Sequence, residues 1–115
     1  MASDETLAAR VRRLLSDRND VIERAMFGGL TFIVAGHMCC GVNNNELIVR
    51  LHPDDVAAAL ARPHARPMDF TGRPLRGFVT VGSEGLNGPA LRRWVGIAVA
   101  HAESRPPKRQ ETVSR

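Results

Sequence analysis

The chain has 115 residues, 43% of them hydrophobic and 24% charged, with a formal net charge of +4 at neutral pH. That length fits one globular domain able to close its core without metal or disulfide staples, and no run approaches the ~20 apolar residues of a membrane-spanning helix. The basic surplus is unevenly placed: residues 1–103 hold 12 Arg against 11 Asp plus Glu, while residues 104–115 hold Arg105, Lys108, Arg109 and Arg115 against Glu111. The body is therefore close to neutral and lacks the electrostatic footprint of a DNA-binding domain.

The start, Met1-Ala2-Ser3-Asp4-Glu5, is acidic and polar, unlike the basic and apolar start of a secretory signal. The only cysteines are Cys39 and Cys40. As strand neighbours they would point to opposite faces, poorly placed to bond each other, which fits a reducing compartment. The expected location is the cytoplasm.

In chain order the first element is a helix. Ser3 can cap it, Asp4 and Glu5 suit the positive end of its dipole, and Leu7, Val11, Leu14 and Leu15 share one face. Strands follow. Residues 21–27 are apolar enough for the first, which Gly28 and Gly29 break or bulge. Residues 30–34 carry the best strand signal, β-branched and aromatic. Ala35-Gly36 is a tight turn, residues 37–42 return, and Asn43-Asn44-Asn45 turns again, since Asn tolerates a left-handed backbone. In residues 46–51 the alternation is clean: Leu47, Val49 and Leu51 face one way, Glu46, Ile48 and Arg50 the other. Short turns between consecutive strands make an antiparallel meander.

Pro53, Asp54 and Asp55 open a short helix that Pro63 stops. Residues 62–76, with Pro63, Pro67 and Pro74, read as a loop in which Met68-Asp69-Phe70 can pair briefly at an edge. Residues 78–81 form another strand and residues 82–88 a loop. Pro89 opens a last helix whose stripe is Leu91, Trp94, Val95, Ala98, Val99 and Ala102. From Ser104 onward nothing is left to bury but Val113, and disorder is expected. The fold class is α+β: an antiparallel meander sheet with the N- and C-terminal helices on one face, a single domain over residues 1–103 and a basic tail over residues 104–115.

The candidate chemistry is sparse. His37, Cys39 and Cys40 are soft ligands close in sequence, but diverging strand neighbours do not converge on a metal, and packing as small hydrophobes is the stronger reading. His52, His64 and His101 form no helical metal pair, and Ser83 lies outside any nucleophile motif. Arg62, Arg66, Arg73 and Arg76, opposed by Asp69 alone, are the one basic cluster in the body. They could contact phosphates, though a solvated loop is the simpler reading. No catalytic residue, metal site or cofactor is expected.

Arg24-Ala25-Met26-Phe27-Gly28-Gly29, an apolar strand, Gly36, a second strand and then Leu47-Ile48-Val49-Arg50 resemble the N-terminal domain of the TfoX/Sxy family of competence regulators. In that family an M-F-G-G-like segment opens the meander and an L-Y-x-K-like strand closes it. Here Met26, Phe27, Gly28 and Gly29 are the sharp motif, while Ile48 and Arg50 replace the aromatic and the Lys. Pro67-Met68-Asp69-Phe70 and a closing helix with Leu91 and Trp94 extend the resemblance over roughly residues 5–103. It implies helices packed on an antiparallel sheet and no known catalytic residues. For two-domain members, which carry a helical domain after this one, it implies transcriptional work alongside a cyclic-AMP receptor-type activator.

Together these readings favour a non-enzymatic regulatory or protein-interaction module. The alternatives are a small-ligand binder or enzyme using Cys39 and His37, and nucleic-acid binding through residues 62–76 and the tail. Strands 30–34 and 37–42 are apolar on both faces, and helices on one side leave the other uncovered. A second copy or a partner protein, such as a transcription activator, is expected there, unless the short helix after Pro53 folds over it.

Overall fold

The computed structural model describes residues 5–26, 29–70 and 73–106. Helix α1 spans Glu5–Leu14; Leu7, Ala8, Val11 and the following Leu15 are buried along one side, as their spacing requires. The capping role expected of Ser3 falls outside the described residues.

The strands are β1 (Val21–Met26), β2 (Gly29–Val34), β3 (His37–Asn43), β4 (Glu46–Arg50), β5 (Ala65–Phe70) and β6 (Arg73–Val81). They form one antiparallel sheet in the order β1-β2-β3-β4-β6-β5. Ala35 and Gly36 link β2 to β3 with φ of 54° and 84°, the left-handed pair that matches a two-residue hairpin to the twist of its strands. Asn44, at φ 54°, turns the chain into β4.

The proline-rich stretch is not the loop its composition suggests. Residues 65–70 and 73–76 belong to β5 and β6, with Ala65 opposite Val81 and Asp69 opposite Pro74. Proline lacks the amide hydrogen that a central strand must donate. Here Pro67 is tolerated because β5 is the sheet's edge. Pro74 lies beyond the part of β6 that pairs with β4, which runs only from Phe78 to Val81.

A 3-10 turn, Pro53–Asp55, leads into the short helix α2 (Val56–Leu60). The long helix α3 spans Gly88–Ser104. The Asn87 side chain accepts from the Ala90 amide at its start, and Leu91, Trp94, Val95, Ala98 and Ala102 are buried. Ser104, expected to begin the tail, instead closes this helix.

Helices α1, α2 and α3 all contribute to one core with the same sheet face. Phe32, Cys40, Val49 and Val79 form one row of that face in register across β2, β3, β4 and β6. Ala59 of α2 joins this core too, so α2 does not supply the second layer considered for the other face.

Two arginines hold the first elements in place. Arg12 grips Glu23 through both carboxylate oxygens, at 2.5 and 2.8 Å, tying α1 to β1. Arg18 bonds both oxygens of Asp20 at 2.9 Å and reaches Glu103 of α3 at 2.6 Å. The Arg12 guanidinium holds the Glu23 carboxyl below its ordinary pKa against the opposing effect of burial. A carboxyl lowered in the folded state adds stability above its unfolded pKa and loses it as the pH falls through the folded value. The pair is partly exposed, so Glu23→Gln should cost only ~0.5–1 kcal/mol at neutral pH. Urea melts should show that difference vanishing at acid pH; a difference unchanged by acid would mean Glu23 acts by packing.

Candidate functional site

Helices on one face leave the other face of the sheet as the place to look. Arg24, Thr31, Gly41, Ile48, Thr80 and Arg66 stand in register across all six strands on that face. Thr31, Ile48 and Thr80 are buried, yet Ile48 takes no part in the helix-side core. Gly41 keeps the middle of this row low: a Cβ there would lie 3.2 Å from the Leu30 carbonyl oxygen and 3.9 Å from the Met38 methyl. The adjacent row is Ile22, Ile33 and Met38, in register across β1, β2 and β3 and each half-buried. Among the described residues, every helix that packs on the sheet belongs to the other side.

Of the motif residues, Met26 ends β1 and Gly29 begins β2 opposite it, while Phe27 and Gly28 lie outside the described residues. Gly29 has a plain physical reason to be glycine. A Cβ there would run into the Val42 carbonyl oxygen and stand 3.2 Å from the Asn43 Cα. The motif glycine lets neighbouring backbones close up, the structural reading its sequence favours.

The cysteines correct a premise. Phe32 pairs with Cys40 but Ile33 with Met38, so Cys39 is the extra residue of a β-bulge. Strict alternation fails there, and both thiols enter the same core with no exposed surface. A hydrogen bond with Cys39, then burial, pushes the Cys40 thiol well above its ordinary pKa, away from the thiolate a nucleophile or metal ligand needs. His37 does not join them; its Nε2 meets the Pro106 carbonyl oxygen at 2.6 Å. Among the described residues, no three His, Cys, Asp or Glu side chains gather as a metal site would require.

The remaining histidines lie away from the cysteines. His52 accepts the Asp54 amide at Nδ1, 3.0 Å away. His64, at a left-handed φ of 68°, has Nδ1 3.7 Å from Glu84. His101 lies edge-on to His52 near the end of α3.

The four arginines of the basic cluster go to separate places. Arg62 covers the Trp94 ring at 5.5 Å from its centroid. Arg66 binds Glu46 at 2.6 Å. Arg76 borders a shallow groove with Pro53, Val56, Leu60 and Phe78. Arg73 begins β6. The half-buried row of Ile22, Ile33 and Met38 is not legible in the sequence as a row. A bulge separates the strand alternations of Ile33 and Met38, and Ile22 sits in a strand whose neighbouring residues include Glu23 and Arg24.

The model of the TfoX N-terminal domain family matches residues 13–102. The chain belongs to that family. No curated protein and no solved structure matches it. The TfoX N-terminal match spans α1 from its last turn to the last turn of α3, so it takes in the whole sheet and both of its faces. No helix among the described residues is long and apolar enough to cross a membrane.

Proposed function

We propose that this TfoX N-terminal domain is a non-enzymatic regulatory module that works by binding protein through the sheet face that no described helix covers. The observation that carries the reading is the row of Ile22, Ile33 and Met38, half-buried with no described helix over it. Apolar side chains left that way on a sheet face are usually finished by a partner. The occupant favoured here is a second copy. Among the described strands β1 is at an edge of the sheet, so a two-fold axis beside it would bring both copies' rows together. A transcription activator, the partner of two-domain members, is the alternative protein occupant, and competence regulation is the role that would follow from it.

The other readings have weaker support. Arg66 is neutralised by Glu46 and Arg62 is spent on Trp94, which thins any phosphate-binding strip in residues 62–76. The Cys39 and Cys40 thiols are sealed in the core and His37 is engaged elsewhere, which removes the basis for a reactive site. The cytoplasm remains the proposed compartment, consistent with two free buried thiols.

Sedimentation equilibrium at micromolar concentration tests the reading. The wild type should dimerise, and Ile33→Lys should be monomeric with its circular dichroism and melting temperature preserved. A strictly monomeric wild type would remove the second copy, and titration with the activator would then decide whether that face binds protein at all.

A further inference from the structure

The two edges of the described sheet are built differently. At one, β5 carries Pro67, and its pairing with β6 slips between Pro67 and Asp69. A proline and an irregular register keep an edge from recruiting another strand. At the other, β1 pairs with β2 without a slip over all 6 residues and contains no proline. Its Glu23 carboxylate is already answered by Arg12.

The Ala35 amide donates to the Asp20 carbonyl oxygen, which makes Val21 and Val34 a non-hydrogen-bonded pair. Bonding to β2 then falls to Ile22, Arg24 and Met26, and the backbone groups of Val21, Glu23 and Ala25 point outward from the edge. Among the described residues nothing meets those groups.

We infer that β1 pairs antiparallel with β1 of a second copy about a two-fold axis at Ile22, so that one sheet runs through both copies. The side chains choose that centre. A pairing centred on Glu23 sets Glu23 against itself, and one centred on Arg24 sets Arg24 against itself; like charges directly opposite are unfavourable. Centred on Val21 or Ala25, the pairing leaves the two copies of Ile22 out of line. Centred on Ile22, it sets that residue against itself and places Arg24 opposite the second copy's Asp20, twice over by symmetry. Both charged residues are exposed. Val21 and Glu23 then exchange backbone hydrogen bonds between the copies. The half-buried row of Met38, Ile33 and Ile22 continues without a break into the same row of the second copy, on the side that no described helix covers. The inference rests on the reading of that face as a protein-binding surface occupied by a second copy, and it adds the strand contact and register that form the pair.

The test uses the full chain at micromolar concentration. Under mild oxidation Ile22→Cys should become a covalent dimer, because the Cα atoms of a non-hydrogen-bonded pair stand about 4.5 Å apart, within disulfide reach. Arg24→Cys should not, because its two copies lie far out of line in this register. The native Cys39 and Cys40 are buried, and the wild type sets the background. By sedimentation, Glu23→Pro should dimerise about tenfold or more weakly than Glu23→Gln, which removes the same ion pair but keeps the amide. Proline there leaves the bonds between β1 and β2 intact, since the Glu23 amide points outward. If circular dichroism shows that Glu23→Pro disturbs folding, hydrogen exchange of the wild type replaces it: the Val21 and Glu23 amides should exchange about tenfold more slowly in the dimer than on dilution. A dimer that Ile33→Lys breaks but Glu23→Pro does not, or one that crosslinks through Arg24→Cys and not Ile22→Cys, would overturn the strand pairing and keep the reading of the face. A dimer that Glu23→Pro breaks and Ile33→Lys does not would keep the strand pairing and remove that reading. A strictly monomeric wild type would overturn the pairing.

Discussion

Trp94→Ala should cost about 3–5 kcal/mol, the range for truncating a large aromatic in a core. The indole is 3% exposed and sits in the middle of α3's buried stripe, between Leu91 and Ala98. It is the bulkiest side chain in the core that α1, α3 and the sheet share. Urea unfolding measures the loss directly. A cost below ~1 kcal/mol would mean that α3 does not deliver its stripe to the sheet. Arg62→Ala is the companion, because its guanidinium lies over the same ring. That contact is at the surface, so it should contribute only ~0.5–1 kcal/mol. In the double variant the Arg62 contribution should disappear, since its aromatic partner is gone.

The helix stripes and the meander were legible because each rests on a period that local chemistry does not interrupt. Leu7, Val11 and Leu15 fall where a helix would put them, and Leu47 and Val49 where a strand would. Two places hid their structure. Pro67 and Pro74 gave β5 and the start of β6 the composition of a loop, and only the strand order shows that Pro67 stands at an edge and Pro74 past the end of β4. Cys39 hid a bulge, which no local residue preference announces, and the alternation rule then sent the two thiols to opposite faces when both lie in the core. The sites were less legible than the fold. Arg62, Arg66 and Arg76 are close in sequence, yet β5 and β6 carry them to different neighbours. His52 and His101 are far apart in sequence, yet their rings meet near the end of α3. Alternation placed Ile48 opposite the core face, but no pattern linked it to Thr31 and Thr80, which stand in its row.

Gly29→Ala should be the next most damaging change, about 3 kcal/mol. The obstacle is backbone: the Val42 carbonyl oxygen and the Asn43 Cα of the next strand occupy the space a methyl would need. A long side chain could swing aside, but Val42 pairs with Leu30 on one side and Leu47 on the other, so its peptide cannot retreat without parting β3 from a neighbour. The same substitution at Gly96 is the control. That glycine lies in the exposed face of α3, and nothing stands within 4 Å of the place its methyl would take, so alanine there should stabilise the helix by ~0.5–1 kcal/mol. Opposite signs for one chemical change would place the cause in the approach of β3 rather than in glycine's backbone freedom. They would also explain why the last residue of the family's motif is a glycine: it sets the distance at which the first hairpin joins the rest of the sheet. A loss at Gly29 no larger than ~1 kcal/mol would show that β2 can shift to admit a methyl, and the motif glycine would then need another reason.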